Sequence, residues 1–318
     1  MNALLLAAAI ATGGIHPIDI QSHELARPEG ARQYLVADPA PKVDHGIPLV
    51  LLLHGHGGSA QQLLGRGLGA APLSEWLEIA ARDNVVVIAV EGAQGSDDKQ
   101  GWNDCRADAA SNPPTDDVGL IAALIDRARA EHHVDPQRVY VMGMSNGGFM
   151  AFRVGIELPD RVAAIATVGA SMAAKSECRA ASKQLSVLMI NGDADPLVPY
   201  RGGDVRIFSQ KSRGTAMAVE DAAQSWRALD GLAAQPAETR DFPKLDAHDK
   251  TYARLRSWGG DPRRFQVELI RIEGGGHVEP SIRQRIGGLY RSVVGAQNGD
   301  FEAAEEAWRF FRDKRLVP

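Results

Sequence analysis

Ser145 stands in Gly143-Met144-Ser145-Asn146-Gly147, directly after the apolar run Val139-Tyr140-Val141-Met142 and before a stretch with helical spacing. A serine at such a strand-to-helix turn has a strained backbone that holds its hydroxyl out. The glycines two residues to either side let the chains pack closely without Cβ clashes. The first turn of the following helix points free N–H groups and a partial positive charge at the same spot, which favours a developing oxyanion. The pattern reads as a nucleophile elbow with Ser145 at its tip. A serine hydroxyl is a poor nucleophile at neutral pH and needs a base, with a third group to hold that base in the right tautomer. Such a fold requires the chain order serine, acid, histidine, each on a loop after a strand.

The sequence supplies that order. Of nine histidines, His277 alone follows a strand-like run late in the chain on a glycine-rich turn, Glu273-Gly274-Gly275-Gly276-His277. Asp195 and Asp193 compete for the acid, both after Leu188-Met189-Ile190-Asn191. Asp195 is preferred because Pro196 stiffens its loop, whereas Asp193 lies nearer the strand end and suits a turn cap. An oxyanion hole needs two backbone donors: the N–H of Asn146, and one from the loop His54-Gly55-His56-Gly57-Gly58, with His56 preferred to Gly57. His54 and His56 could be read as a metal pair, but two histidines without a carboxylate cluster make a thin site, so no metal and no cofactor is expected. Trp102 and Asn103 are candidates for lining substrate, with packing beneath the loop as the alternative for the aromatic ring. Asp116 and Asp117 look like helix capping.

The elements that must position these groups alternate along the chain as short apolar runs and amphipathic stretches, which predicts an α/β fold with a mostly parallel sheet covered by helices on both faces. Strands are expected at 32–36, 48–54, 85–90, 138–143, 163–168, 186–191 and 266–272, and helices at 74–82, 117–132, 146–158 and 301–312. The polar segment at about 202–262 breaks the rhythm and reads as an insertion over the carboxyl edge of the sheet, either a lid or a surface elaboration; part of it, 215–229, has helical character. One domain from about residue 30 to 318 is expected, with this insertion before the last strand.

The chain has 318 residues, a net charge of −5 and no Lys/Arg-rich block. Nucleic-acid binding and polybasic membrane attachment therefore have no support. The apolar run Met1–Thr12 is too short to span a bilayer and suits a secretory leader within residues 1–20, although no basic residue precedes it. Secretion or a periplasmic location is the expectation, and in that setting Cys105 and Cys178 could pair or remain free thiols.

With these residues in hand, the chain resembles the polyhydroxybutyrate depolymerase and feruloyl esterase family of the α/β-hydrolases. The matching segments are Leu53-His54-Gly55-x-Gly57-Gly58, Asp116-Asp117-Val118-Gly119, Val134-Asp135-Pro136-x-Arg138-Val139-Tyr140 and Gly143–Gly148. Further on come Asp195-Pro196-x-Val198-Pro199-Tyr200-x-Gly202-Gly203 and Gly274-Gly275-Gly276-His277. The resemblance implies a secreted serine esterase with Ser145, Asp195 and His277 as its triad, acting on a small or oligomeric ester. Two departures stand out: Asn191 where the family usually has a histidine, and Val278-Glu279 where an aromatic-proline pair is common. Other readings are a peptidase with the same triad, for which the chain leaves little room for a gating domain, and a binding protein on a hydrolase scaffold.

Overall fold

The computed structural model describes residues 18–39, 46–206 and 212–317, so the apolar run at residues 1–12, His16 and His45 lie outside the described residues. In chain order the elements are β1 (Ile20–Arg27), β2 (Gly30–Ala37), β3 (Ile47–Leu53), α1 (Trp76–Asp83), β4 (Val86–Val90), α2 (Asp117–Glu131), β5 (Val134–Met144) and α3 (Asn146–Glu157). They continue with β6 (Ala164–Val168), β7 (Ser186–Gly192), α4 (Val219–Leu229), β8 (Glu238–Asp241), β9 (Tyr252–Trp258), β10 (Val267–Glu273), α5 (Gly288–Val294) and α6 (Ala303–Phe311).

The ten strands form one sheet in the order β1-β2-β4-β3-β5-β6-β7-β10-β9-β8. Neighbours from β4 through β10 pair in parallel, and antiparallel pairs close both ends, β1 and β2 at one and β9 and β8 at the other. This is the mostly parallel sheet expected from the alternating runs, in the α/β-hydrolase fold that the resemblance implies. Strands in the middle of a parallel sheet are covered on both faces, so β3 reads Ile-Pro-Leu-Val-Leu-Leu-Leu with every residue buried. Its alternate side chains go to two cores. Leu49, Leu51 and Leu53 pack with α2, α3 and α4, while Val50 and Leu52 pack with α1 and α6.

Helix α2 shows how local sequence sets a boundary. The Asp116 carboxylate accepts from the Gly119 N–H at 2.8 Å, and Leu120, Ile121, Leu124, Ile125 and Ala128 are buried along one face. The expected strand at 138–143 extends back to Val134, because Val134 pairs with Ile47 beyond a register shift.

The segment at 202–262 contributes more to the sheet than its polar composition suggests. Helix α4 buries Val219, Ala222, Ala223 and Trp226 in the core, and β8 and β9 extend the sheet. Strand β9 carries a period-two signal, Tyr-Ala-Arg-Leu-Arg-Ser-Trp, with Ala253, Leu255 and Ser257 buried and Tyr252, Arg254 and Arg256 on the more open face, until Trp258 is buried at its end. Residues 203–206 and 212–216 form the part of this segment that reaches the carboxyl edge, where Val205 and Arg213 line a cleft. A disulfide joins Cys105 to Cys178 across the same edge.

Candidate active site

Ser145 occupies the sharp turn between β5 and α3 with φ 53° and ψ −121°, a conformation that costs a non-glycine residue energy and that the flanking elements must hold. The glycines around it are required by close approach. A Cβ on Gly143 would lie 2.0 Å from the Gly147 carbonyl oxygen, and one on Gly147 would lie 2.2 Å from that of Leu53. The Ser145 N–H donates to the Val168 carbonyl, which ties the turn to β6.

The loops after β7 and β10 bring the other two groups in. The His277 Nε2 lies 2.9 Å from the Ser145 Oγ, and its Nδ1 lies 2.7 Å from the Asp195 Oδ2. A carboxylate only accepts, so Nδ1 carries the proton and Nε2 is left as acceptor for the serine hydroxyl. Burial pushes the His277 pKa down, but the Asp195 charge and hydrogen bond outweigh it, so the net shift is upward. Asp195 is itself oriented by the N–H groups of Leu197 and Val198, both donating to Oδ1 at 2.8 Å. Asp193 does different work: it pairs with Arg271 at 2.7 Å and caps the turn at the Gly274 N–H.

The side of the site formed by Asn146 and the His54–Gly58 loop is held by a hydrogen-bonded frame. Asn146 begins α3, and its side-chain oxygen accepts from the Trp102 N–H at 2.8 Å while its Nδ2 donates to Asp104 at 2.7 Å. Asp104 in turn forms a fully buried pair with Arg106. In the facing loop, the Gly57 N–H is taken by the Gln100 carbonyl, whereas the His56 N–H has no partner among the described residues. The His56 ring is fixed on both sides: Arg213 donates to Nδ1 at 2.7 Å, and Nε2 faces Asp97 at 3.1 Å. The His54 ring is fixed likewise, with Nδ1 donating to the Gly55 carbonyl and Nε2 accepting from the Gly92 N–H. Burial holds both rings at a pKa of about 4, so they are neutral at physiological pH. Three of the four ring nitrogens are hydrogen-bonded and the fourth, His56 Nε2, faces Asp97, which is an arrangement for shaping a loop rather than for holding a cation.

Trp102 and Asn103, expected as substrate-lining residues, are not in the wall of the cleft. Trp102 is completely buried beneath the His54–Gly58 loop, where its Nε1 donates to the His54 carbonyl. Asn103 binds Asp117 and the Thr115 carbonyl. An indole at the foot of a glycine-rich loop supplies the packing that the glycines lack, so the aromatic signal was structural. Conversely, Arg213 and Arg106 line the cleft without any motif that would have drawn attention to them. They become neighbours of His56 and Asn146 only through tertiary contacts.

The cleft above Ser145 has a volume of about 340 Å³. One wall is the polar frame just described. The other is apolar, with Leu63, Ala70, Pro72, Leu73, Leu197 and Ile286 among its residues.

The sequence profile of the phospholipase/carboxylesterase family matches residues 40–213, which include the His54–Gly58 loop, the turn at Ser145 and the Asp195 loop. The chain belongs to that family, and so to the esterases of the α/β-hydrolase superfamily. It is 29% identical over 287 residues to NocK of Nocardia uniformis subsp. tsuyamanensis, a protein assigned as an esterase, covering 85% of this chain and 76% of NocK. It is 28% identical to feruloyl esterase B of Piromyces equi, covering 74% of this chain but only 40% of that protein. A shorter match, 29% identical over 120 residues, links it to a poly(3-hydroxybutyrate) depolymerase of Ralstonia pickettii, covering 37% of this chain and 24% of that protein. Among solved structures, an acetyl xylan esterase from Aspergillus awamori matches the fold with a TM-score of 0.58 at 12% identity, covering 92% of this chain and 99% of that one. A thermostable esterase matches with a TM-score of 0.56 at 16% identity, covering 93% of this chain and 63% of that one. At such identities the structural matches speak for the fold alone.

Proposed function

We propose that this family member is a serine carboxylic-ester hydrolase, similar to polyhydroxybutyrate depolymerases and feruloyl esterases, that works through an acyl-enzyme. Ser145 attacks the ester carbonyl as His277 takes its proton through Nε2, while Asp195 holds the imidazole tautomer and stabilises its charged form. The N–H groups of Asn146 and His56 receive the oxyanion. His277 then protonates the departing alcohol, and a water activated by the same imidazole cleaves the acyl-serine to release acid and free enzyme. The observation that carries this reading is the chain of hydrogen bonds from Ser145 Oγ to His277 to Asp195, 2.9 and 2.7 Å long, on the floor of the cleft.

The test is hydrolysis of short p-nitrophenyl esters, methyl ferulate and 3-hydroxybutyrate oligomers by the natural chain and by Ser145→Ala. Loss of at least about 10³-fold in kcat in the variant is expected, in line with removal of a nucleophile. A variant that keeps its rate would sink the serine mechanism, and a well-folded natural chain inert on all these esters would sink the esterase reading. Activity should also decline as pH falls through the His277 pKa, because the protonated imidazole cannot act as base.

Export from the cytoplasm is part of the same proposal. It is supported by the apolar run at Met1–Thr12 together with the Cys105–Cys178 disulfide, a bond that persists in oxidising compartments. Expression in a bacterial host should yield an extracytoplasmic chain shortened at its N-terminus; a full-length chain retained in the cytoplasm would refute it.

A further inference from the structure

Glu279 lies two residues beyond His277 and lines the cleft from the same loop. Its backbone is fixed, since its carbonyl accepts from the Gln297 side chain at 2.9 Å. Val278 beside it is buried with Ile286 and Val294, so the loop is anchored on an apolar base. The Glu279 residue itself is only partly buried, opening to the cleft. Its charge is felt by two other cleft residues, His277 and Tyr290. Among the described residues, no arginine, lysine or side-chain donor pairs with its carboxylate, whose one hydrogen bond comes from its own backbone N–H.

The two arginines of the cleft do not compensate for it. Arg106 is spent on Asp104, and Arg213 on Asp97 and His56. An anionic group on an otherwise apolar wall and without a counter-charge is costly unless something brings it a partner. Burial indeed raises its pKa. The missing counter-charge or further donor is supplied most simply by the ligand.

We propose that Glu279 determines substrate specificity in this cleft, favouring esters with a hydroxyl or ammonium donor near the scissile bond and rejecting esters that carry a carboxylate there. The inference rests on the esterase reading above and deepens it. A donor on the substrate satisfies the carboxylate, whereas a second carboxylate in the same low-dielectric space meets like-charge repulsion.

The experiment compares kcat/KM at pH 8 for matched pairs differing by one group. On the acyl side the pair is methyl pentanoate and monomethyl glutarate; on the alcohol side the set is propyl, 2-hydroxyethyl and carboxymethyl butyrate. In the natural chain the carboxylate-bearing member of at least one side should be disfavoured. Glu279→Gln should raise the anionic-to-neutral ratio on that side about tenfold, the size expected for removing one charge at close range. Glu279→Asp should keep the discrimination, and Glu279→Lys should reverse it. The 2-hydroxyethyl preference over propyl should shrink in the Gln variant.

Ratios that stay within twofold of the natural chain in both the Gln and Lys variants, with both folded and hydrolysing the neutral esters, would overturn the role of Glu279 and leave the esterase reading intact. A natural chain inert on every ester would overturn both. Because each readout is a ratio within one variant, a general loss of stability does not imitate it.

Discussion

Asp195→Asn separates the proposed chemistry from the fold more sharply than deletion of any side chain. In the natural chain the carboxylate divides its bonds: Oδ1 accepts two backbone N–H groups at 2.8 Å, from Leu197 and Val198, and Oδ2 accepts from His277 Nδ1 at 2.7 Å. An asparagine here must keep its oxygen toward the two backbone donors. The opposite flip would set an NH₂ against two N–H groups and leave both donors unmet, at a cost of about 1–3 kcal/mol each. The amide NH₂ therefore faces His277, and Nδ1 has to become the acceptor. The imidazole proton moves to Nε2 and points at Ser145, so the base is lost while the packing stays. The expected fall in kcat is about 10³- to 10⁴-fold, or about 4–5.5 kcal/mol of barrier. KM should change little, since Asp195 does not line the cleft. Steady-state kinetics on the preferred ester, together with a thermal melt, measures both sides of this claim. The residual rate should keep its activity to lower pH than the natural chain, because the charge that holds the His277 pKa up is gone. An Asn variant with more than a tenth of the natural kcat and an unchanged melt would refute the assignment of Asp195 as the group that orients the base.

Two further outcomes concern stability. Asp230 closes the C-terminal end of α4 with Oδ1 accepting the Leu185 N–H and Oδ2 buried without a partner, so burial pushes its pKa up to about 7. In the unfolded chain the carboxyl ionises near 3.8, so the folded state binds the extra proton between pH 4 and 7, and this group's contribution to stability falls as pH rises through that window. The ceiling is about 4 kcal/mol and about 1–2 is expected after local relaxation. Denaturation of Asp230→Asn should therefore gain on the natural chain between pH 5 and pH 8, and an equal difference at both pH values would count against a buried ionised carboxylate. The Cys105–Cys178 bond closes a separation of 73 residues, and replacing both cysteines by serine should lower stability by about 2–4 kcal/mol in urea, with a loss under 0.5 kcal/mol showing that the loops are held by other contacts.

The sequence by itself determined the groups that stand in chain order and the elements that carry them. Glycine spacing around Ser145 marks a turn that side chains would obstruct, and the all-buried β3 run marks a central parallel strand; both are local requirements, visible wherever one element meets the next. The same holds for His277 on its glycine turn and for the Asp116 cap of α2. What only the tertiary structure decided is which distant residues become neighbours. Pro196 favoured Asp195 over Asp193, but the outcome depends on which carboxylate the β7 loop aims at His277, a direction set by the N–H groups of Leu197 and Val198 and by Arg271 of β10 holding the other acid. Trp102 was an aromatic on the right loop, yet its face is spent beneath His54 because a glycine-rich turn leaves a space that only a large ring fills. Arg213 carries no local signal at all: it reaches His56 from a polar segment more than 150 residues away. Strands β8 and β9 were hidden for a related reason, since strands at this antiparallel end of the sheet are not covered on both faces and so lack the continuous apolar runs of the central ones. Periodicity and turn chemistry act over a few residues and can be read from a sequence, whereas the meeting of side chains from separate loops is settled only when the whole sheet has closed its two cores.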